Sequence, residues 1–223
     1  MAPMVLKAEI GRRKLLRILA LMVIAAMALA VAVTGLTAYS ARVIDTVQRE
    51  AEIKLVERRV ARTLGRLRED VNSAAVWNDA YDAMRTGDQV WMQINFGDYY
   101  ADYMHHDVTL AYDVSGRPVY ASRQSKPVPL SSEARLIPAV APLVEAVRRE
   151  GLARPVRAGL EGVVTRQAVV LAGSEPYFVS VATVVRESAA HPLGPGGDPV
   201  VVSGIRAARF LPDLAADLGV EAP

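Results

Sequence analysis

An uncharged run of 24 residues, Ile18 to Ala41, constrains this chain more than any other feature. It is built mostly from Leu, Ile, Val, Ala and Met. About 20 apolar residues suffice to cross a bilayer as a helix, so the run is long enough to span. Lys7, Arg12, Arg13, Lys14 and Arg17 precede it, against Glu9 alone. Basic residues collect on the cytoplasmic side of a span, which predicts a cytoplasmic N-terminus over residues 1–17 and a span over 18–41. A cleaved signal peptide is the alternative. Its apolar core would be about 7–15 residues, shorter than this run. The small residues Ala38 and Ser40 keep a cleavage site open. On either reading, the chain beyond Arg42 lies outside the cytoplasm, and an uncleaved span places the protein in the inner (cytoplasmic) membrane.

The rest of the 223 residues is sufficient for one globular domain with a single core. The net charge is +2, and the basic residues do not gather into a stripe with aromatics, which argues against nucleic acid. There is no cysteine, so disulfides, thiolate catalysis and Cys-ligated metals are excluded. Three histidines do not suggest a His-rich metal site, and no cofactor is expected.

Residues 42–84 read as one helix. Ile53, Val56, Val60, Leu64, Leu67, Val71 and Ala74 recur at steps of three and four between charged residues. Such a narrow apolar seam needs a partner. The partner is either the same helix of a second copy, giving a homodimer, or the chain's own domain. At about 1.5 Å per residue this rod reaches roughly 60 Å and is suited to carry a displacement to the membrane.

Residues 89–106 hold Trp91, Phe96, Tyr99, Tyr100 and Tyr103 without a clean period, and read as short helices and loops. Strands are expected over 107–114 and 117–122 around the Ser115-Gly116 turn. A helix interrupted by Pro138 and Pro142 is expected over 131–149, stopped by Gly151. Further strands are expected over 161–171, 176–186 and 199–206, with a last helix from Phe210. This order predicts an α+β fold, a PAS-like or Cache-like antiparallel sheet with helices on one side.

The run Asp70-Val-Asn-Ser-Ala-Ala-Val-Trp77-Asn78-Asp79-Ala80-Tyr81 resembles the signature of the CHASE4 family of extracytoplasmic sensor domains. Trp91, Asn95, the strand from Val108 to Asp113, Gly116 and Val119-Tyr120 come next in the family's order. Asn78 stands where many members carry Asp. The resemblance runs over 42–206 and is sharpest over 70–122. It implies a usually dimeric ligand sensor that precedes a second span and a cytoplasmic diguanylate cyclase, phosphodiesterase or histidine kinase. Neither a second span nor an output domain is present after it here, and residues 207–223 read as the start of a truncated helix. The expected function is thus a membrane-anchored sensor module regulating cyclic-di-GMP turnover, with no catalytic domain of its own. The alternatives are an anchored interaction or scaffold protein and a periplasmic enzyme.

The candidate ligand-binding residues are Trp77, Asp79, Tyr81, Trp91, Asn95 and Tyr120. Aromatics with a few amides and carboxylates can line a small-molecule pocket, in which Asp79 suits a positive group. The same aromatics can simply pack under the sheet, and both readings stand. Gly196-Gly197-Asp198 resembles part of a cyclase hairpin, but Pro199 and Val200 come directly after it, and no catalytic role is assigned. His105-His106-Asp107 reads as an exposed loop rather than a metal site, because adjacent side chains on extended backbone point apart. His191 stands alone in a loop.

Overall fold

The computed structural model describes residues 3–189, 196–210 and 212. It divides into two units, Met1–Leu55 and Val56–Pro223. Helix α1 (Pro3–Ser73) forms the described part of the first unit and opens the second. In the first unit every side chain from Ile18 to Ser40 is exposed. This is the one stretch among the described residues long and apolar enough to cross a membrane.

The second unit is built on a six-stranded sheet in the order β3-β2-β1-β6-β5-β4. The strands are β1 (Val108–Tyr112), β2 (Pro118–Arg123), β3 (Lys126–Pro127), β4 (Thr165–Ala172), β5 (Glu175–Thr183) and β6 (Val200–Arg206). All pairings are antiparallel, and the fold is α+β as expected. The pairs β1–β2, β2–β3 and β4–β5 are joined by tight turns, whereas residues 184–199 lie between β5 and β6. Asp113 closes the first by accepting from the backbone N–H groups of Ser115 (2.8 Å) and Arg117 (2.9 Å), with Gly116 at a φ of 81°. Only the long crossover puts β6 beside β1, at the centre.

Helices cover both faces of this sheet, not one. Side chains alternate across a strand, and here both sets are apolar. On one face Val108, Leu110, Val179, Val181, Val200 and Val202 meet Leu136, Val140, Val144 and Val147 of α4 (Leu136–Leu152). On the other, Ala111, Ala182, Val184 and Val201 meet Val71 of α1, Tyr81 and Met84 of α2 (Asn78–Thr86), and the aromatic segment. That segment is a short α3 (Gln89–Met92) continuing into a π-helix, Gln93–Tyr103. The wider π-helical turn explains why no 3.6-residue period is visible there.

The helix expected over 42–84 is two helices. α1 ends at Ser73, and the chain crosses in extended form before α2 begins at Asn78. The break has a physical cause: Val76 forms a parallel bridge to Val185, so the carbonyl of Ala75 and the N–H of Trp77 bond to Val185, just beyond β5, instead of within a helix. The apolar seam is covered unevenly. Leu67 and Val71 are fully buried in the second unit, whereas Ile53 is 51% exposed.

α4 continues through both prolines. Pro138 sits in its first turn, where the missing N–H has no intrahelical partner, and Pro142 removes one bond from a helix already held by its buried face. Residues 207–210 have helical backbone. The rest of the helix expected over 207–223, apart from residue 212, and His191 lie outside the described residues.

Candidate functional site

The end of α1 builds a small site. Trp77 caps α2 in extended conformation (φ −162°, ψ 121°) and donates its backbone N–H to Val185 O at 3.1 Å. Val185 in turn donates to Ala75 O at 2.8 Å. Pinned on this bridge, the Trp77 indole meets Trp91 edge to face, 4.9 Å between centroids. Beside it opens a cavity of about 300 Å³ lined by Ser73, Ala74, Trp77, Asn95 and Tyr99.

Rings continue from this cavity into the core. Trp91 meets Phe96 at 5.4 Å, Phe96 stacks on Tyr100 at 6.0 Å, and Tyr100 stacks on His106 at 5.4 Å. His106 is buried, contrary to the exposed-loop expectation; Asp107 is buried as well, and only His105 reaches solvent. The reason lies in the residues that receive them. His106 Nε2 lies 3.0 Å from Asp70 of α1 and Nδ1 lies 2.6 Å from Ser203 of β6, whose hydroxyl is 3.3 Å from Thr109 of β1. With Asp70 as a carboxylate, Nε2–H donates to it and Nδ1 accepts from Ser203. Burial pushes the His106 pKa below its usual 6.5, partly offset by Asp70. Burial likewise raises the Tyr100 hydroxyl well above its usual range.

Asp70, His106 and Ser203 are the residue types of a hydrolytic triad, but the surroundings oppose that chemistry. Ser203 is wholly buried in the central strand, with no open space beside its hydroxyl for a scissile carbonyl. The three residues instead tie α1 to the middle of the sheet. Sequence reasoning missed this network. Its visible signals were Asp70, at the head of the motif, and Ser203, a lone hydroxyl in the apolar run from Val200 to Ile205.

The six candidate residues fall into distinct places. Trp77 and Asn95 line the cavity, and Trp91 backs it; the Asn95 amide donates to Trp91 O at 3.0 Å. The other three lie elsewhere. Asp79 is exposed in the first turn of α2. Tyr81 is buried beneath the Arg186 guanidinium, 4.5 Å from its ring centroid. That guanidinium forks onto Asp82 at 2.8 and 3.0 Å and holds its carboxyl below the usual range. Tyr120 is buried on β2 and donates to Gln93 Oε1 at 2.8 Å. Burial pushes its hydroxyl up to about 12. Asp198, of the Gly-Gly-Asp run, is buried in a two-pronged pair with Arg157 at 2.8 and 3.1 Å.

With this geometry in place, the comparisons are direct. A family model described as CHASE4 domain matches residues 60–214, more than half of the chain. None of the curated proteins matches it.

Proposed function

The chain belongs to the CHASE4 family of extracytoplasmic sensor domains, and from that premise we propose that it is the ligand-binding input module of a membrane-anchored receptor. The carrying observation is the cavity at Trp77, because Ser73 in its wall is the last residue of α1 and Ala74 follows it. A ligand seated there touches the helix that leads back to residues 18–41. Its lining is aromatic and amide, without charge, and suits a small neutral molecule with one flat apolar face. Asp79 is exposed and is not in the cavity wall, so this reading gives it no contact with the ligand.

In this reading residues 18–41 anchor the chain in the cytoplasmic membrane with the N-terminus inside. Ligand binding biases two arrangements of α1 against the sheet, and the bias passes to a cytoplasmic output controlling cyclic-di-GMP turnover. The exposed apolar residues Ile44 (56%), Val47 (62%) and Ile53 (51%) support a parallel homodimer through α1. A single Ile44→Cys variant of this cysteine-free chain tests the dimer: oxidation in membranes gives one covalent band at twice the monomer mass.

A thermal-shift screen of the full chain in detergent against neutral metabolites tests the sensor. A ligand that binds only the folded state raises stability, by about 2.7 kcal/mol at a hundredfold excess over Kd. The reading predicts a hit whose shift disappears in Trp77→Ala. A hit that shifts Trp77→Ala equally places the ligand elsewhere.

A further inference from the structure

A second cavity, of about 290 Å³, opens on the other side of the Asp70–His106 tie. Its walls come from three elements: Arg59, Arg62, Thr63 and Arg66 of α1, Met104 and His105 after the π-helix, and Ile205, Arg209 and Phe210 at and after the end of β6. We propose that this is an anion-binding site for a small molecule carrying two or more phosphate or carboxylate groups, distinct from the Trp77 cavity.

Arg59, Arg62 and Arg66 are spaced by three and four residues, so they share one helix face. Like charges at that spacing repel one another, and an anion between them removes the penalty. Among the described residues, no carboxylate lines the cavity. Two described carboxylates pair with arginines of its wall from behind. Asp70 is 3.7 Å from Arg66 and is shared with His106. Asp107, wholly buried, accepts the Arg206 backbone N–H at 2.8 Å while holding Arg209 at 3.0 Å.

Arg209 is therefore positioned before any ligand arrives. It also donates to the carbonyl of His105 at 3.1 Å. Arg62 is exposed and forms no hydrogen bond or ion pair with any described residue, which leaves its guanidinium for a ligand. Guanidinium forks bind phosphate and carboxylate in two-pronged fashion. Thr63, Met104, Ile205 and Phe210 give the ligand's body a partly apolar bed. A ligand held by Arg62 and Arg209 ties α1 directly to the segment that leaves the sheet, which are the two ends a receptor must move against each other.

The experiment is calorimetric titration of the full chain with inorganic pyrophosphate and with citrate, at fixed ionic strength near 0.15 M because exposed charges are screened by salt. The expected result is saturable binding of one anion per chain. Arg62→Glu, checked for unchanged circular dichroism, is expected to weaken it at least about tenfold, or about 1.4 kcal/mol. Arg62→Lys should keep the charge and most of the affinity. No saturable binding, or equal binding by Arg62→Glu, overturns the proposal. Repeating the titration in bilayer discs of phosphatidylcholine, with and without phosphatidylglycerol, identifies the source of the anion. Pyrophosphate binding suppressed by the anionic lipid assigns the site to a lipid headgroup, and binding equal in both assigns it to a soluble anion.

Discussion

The two faces of the sheet are covered by helices of opposite character. Against α4 the contact is almost wholly aliphatic, Val and Leu on Val and Leu. Against α1, α2 and the π-helix it is aromatic, threaded by the buried Asp70–His106–Ser203 network and bordered by both cavities. Aliphatic packing offers many equivalent contacts and no directional bonds, so it holds position without storing alternatives. Rings and buried polar groups have a few discrete arrangements, which is what a two-state element requires. On the function proposed above, one face is a clamp and the other is where a signal enters.

The largest expected effect breaks the clamp. Leu136→Ala removes a buried side chain from the α4 face and should cost about 3 kcal/mol in denaturant unfolding. The stability added by a ligand at Trp77 should be unchanged. A lost ligand effect would show the two faces to be coupled and the division wrong.

The next variant presses on the aromatic face alone. Gly97 lies in the π-helix, and a Cβ there would meet the Tyr120 hydroxyl and, at 2.9 Å, Gln93 Nε2. Gly97→Ala forces apart the contact that docks Tyr120 on the helix, and overpacking of this kind costs about 1–3 kcal/mol. The near-ultraviolet dichroism of the aromatics should change with it, because the ring series shares this helix.

The difference between the faces also explains what the sequence revealed. The aliphatic half was legible because alternation and apolar runs are direct imprints of burial: all five longer strands were expected within a few residues of their bounds. The motif residues Trp77, Trp91 and Asn95 were legible as a group and do come together. The break after Ser73 was not, since Ala74, Ala75 and Val76 all suit a helix, and it is the distant Val185 that draws off the Ala75 carbonyl and the Trp77 N–H. The burial of His106 was hidden for the same reason. Its partners Asp70 and Ser203 lie far away in the chain on either side, and local sequence does not show which polar residues will meet.

A smaller effect comes from pH. The folded chain holds His106 below its usual 6.5, facing Asp70 and Arg66 of α1, Asp107 beside it, the Tyr100 ring, and the Ser203 and Thr109 hydroxyls. Above pH 6.5 neither folded nor unfolded chain protonates it, and its contribution is complete. As pH falls below that value the unfolded chain takes up a proton that the folded ring resists, so stability drops, by up to about 1.4 kcal/mol per pH unit in that window. Urea unfolding at pH 7.5 and 5.5 should show a larger decrease for the native chain than for His106→Asn. Equal decreases would mean that the buried network accommodates the proton.

The smallest effect sharpens the comparison most. Asp79 stands on the signalling side but in solvent, in the first turn of α2, where a carboxylate gains only about 0.3–1 kcal/mol from the helix dipole. Asp79→Asn should therefore change stability by no more than about 1 kcal/mol and leave ligand-induced stabilisation untouched. Asn95→Ala, equally mild on the helix but in the cavity wall, should abolish that stabilisation. The pair separates membership of the motif from membership of the site. If Asp79→Asn removed the ligand effect while Asn95→Ala kept it, the ligand would be held on the outer surface of α2 by its charge. The cavity at Trp77 would then be packing space, and the contrast between the two faces would describe stability without describing sensing.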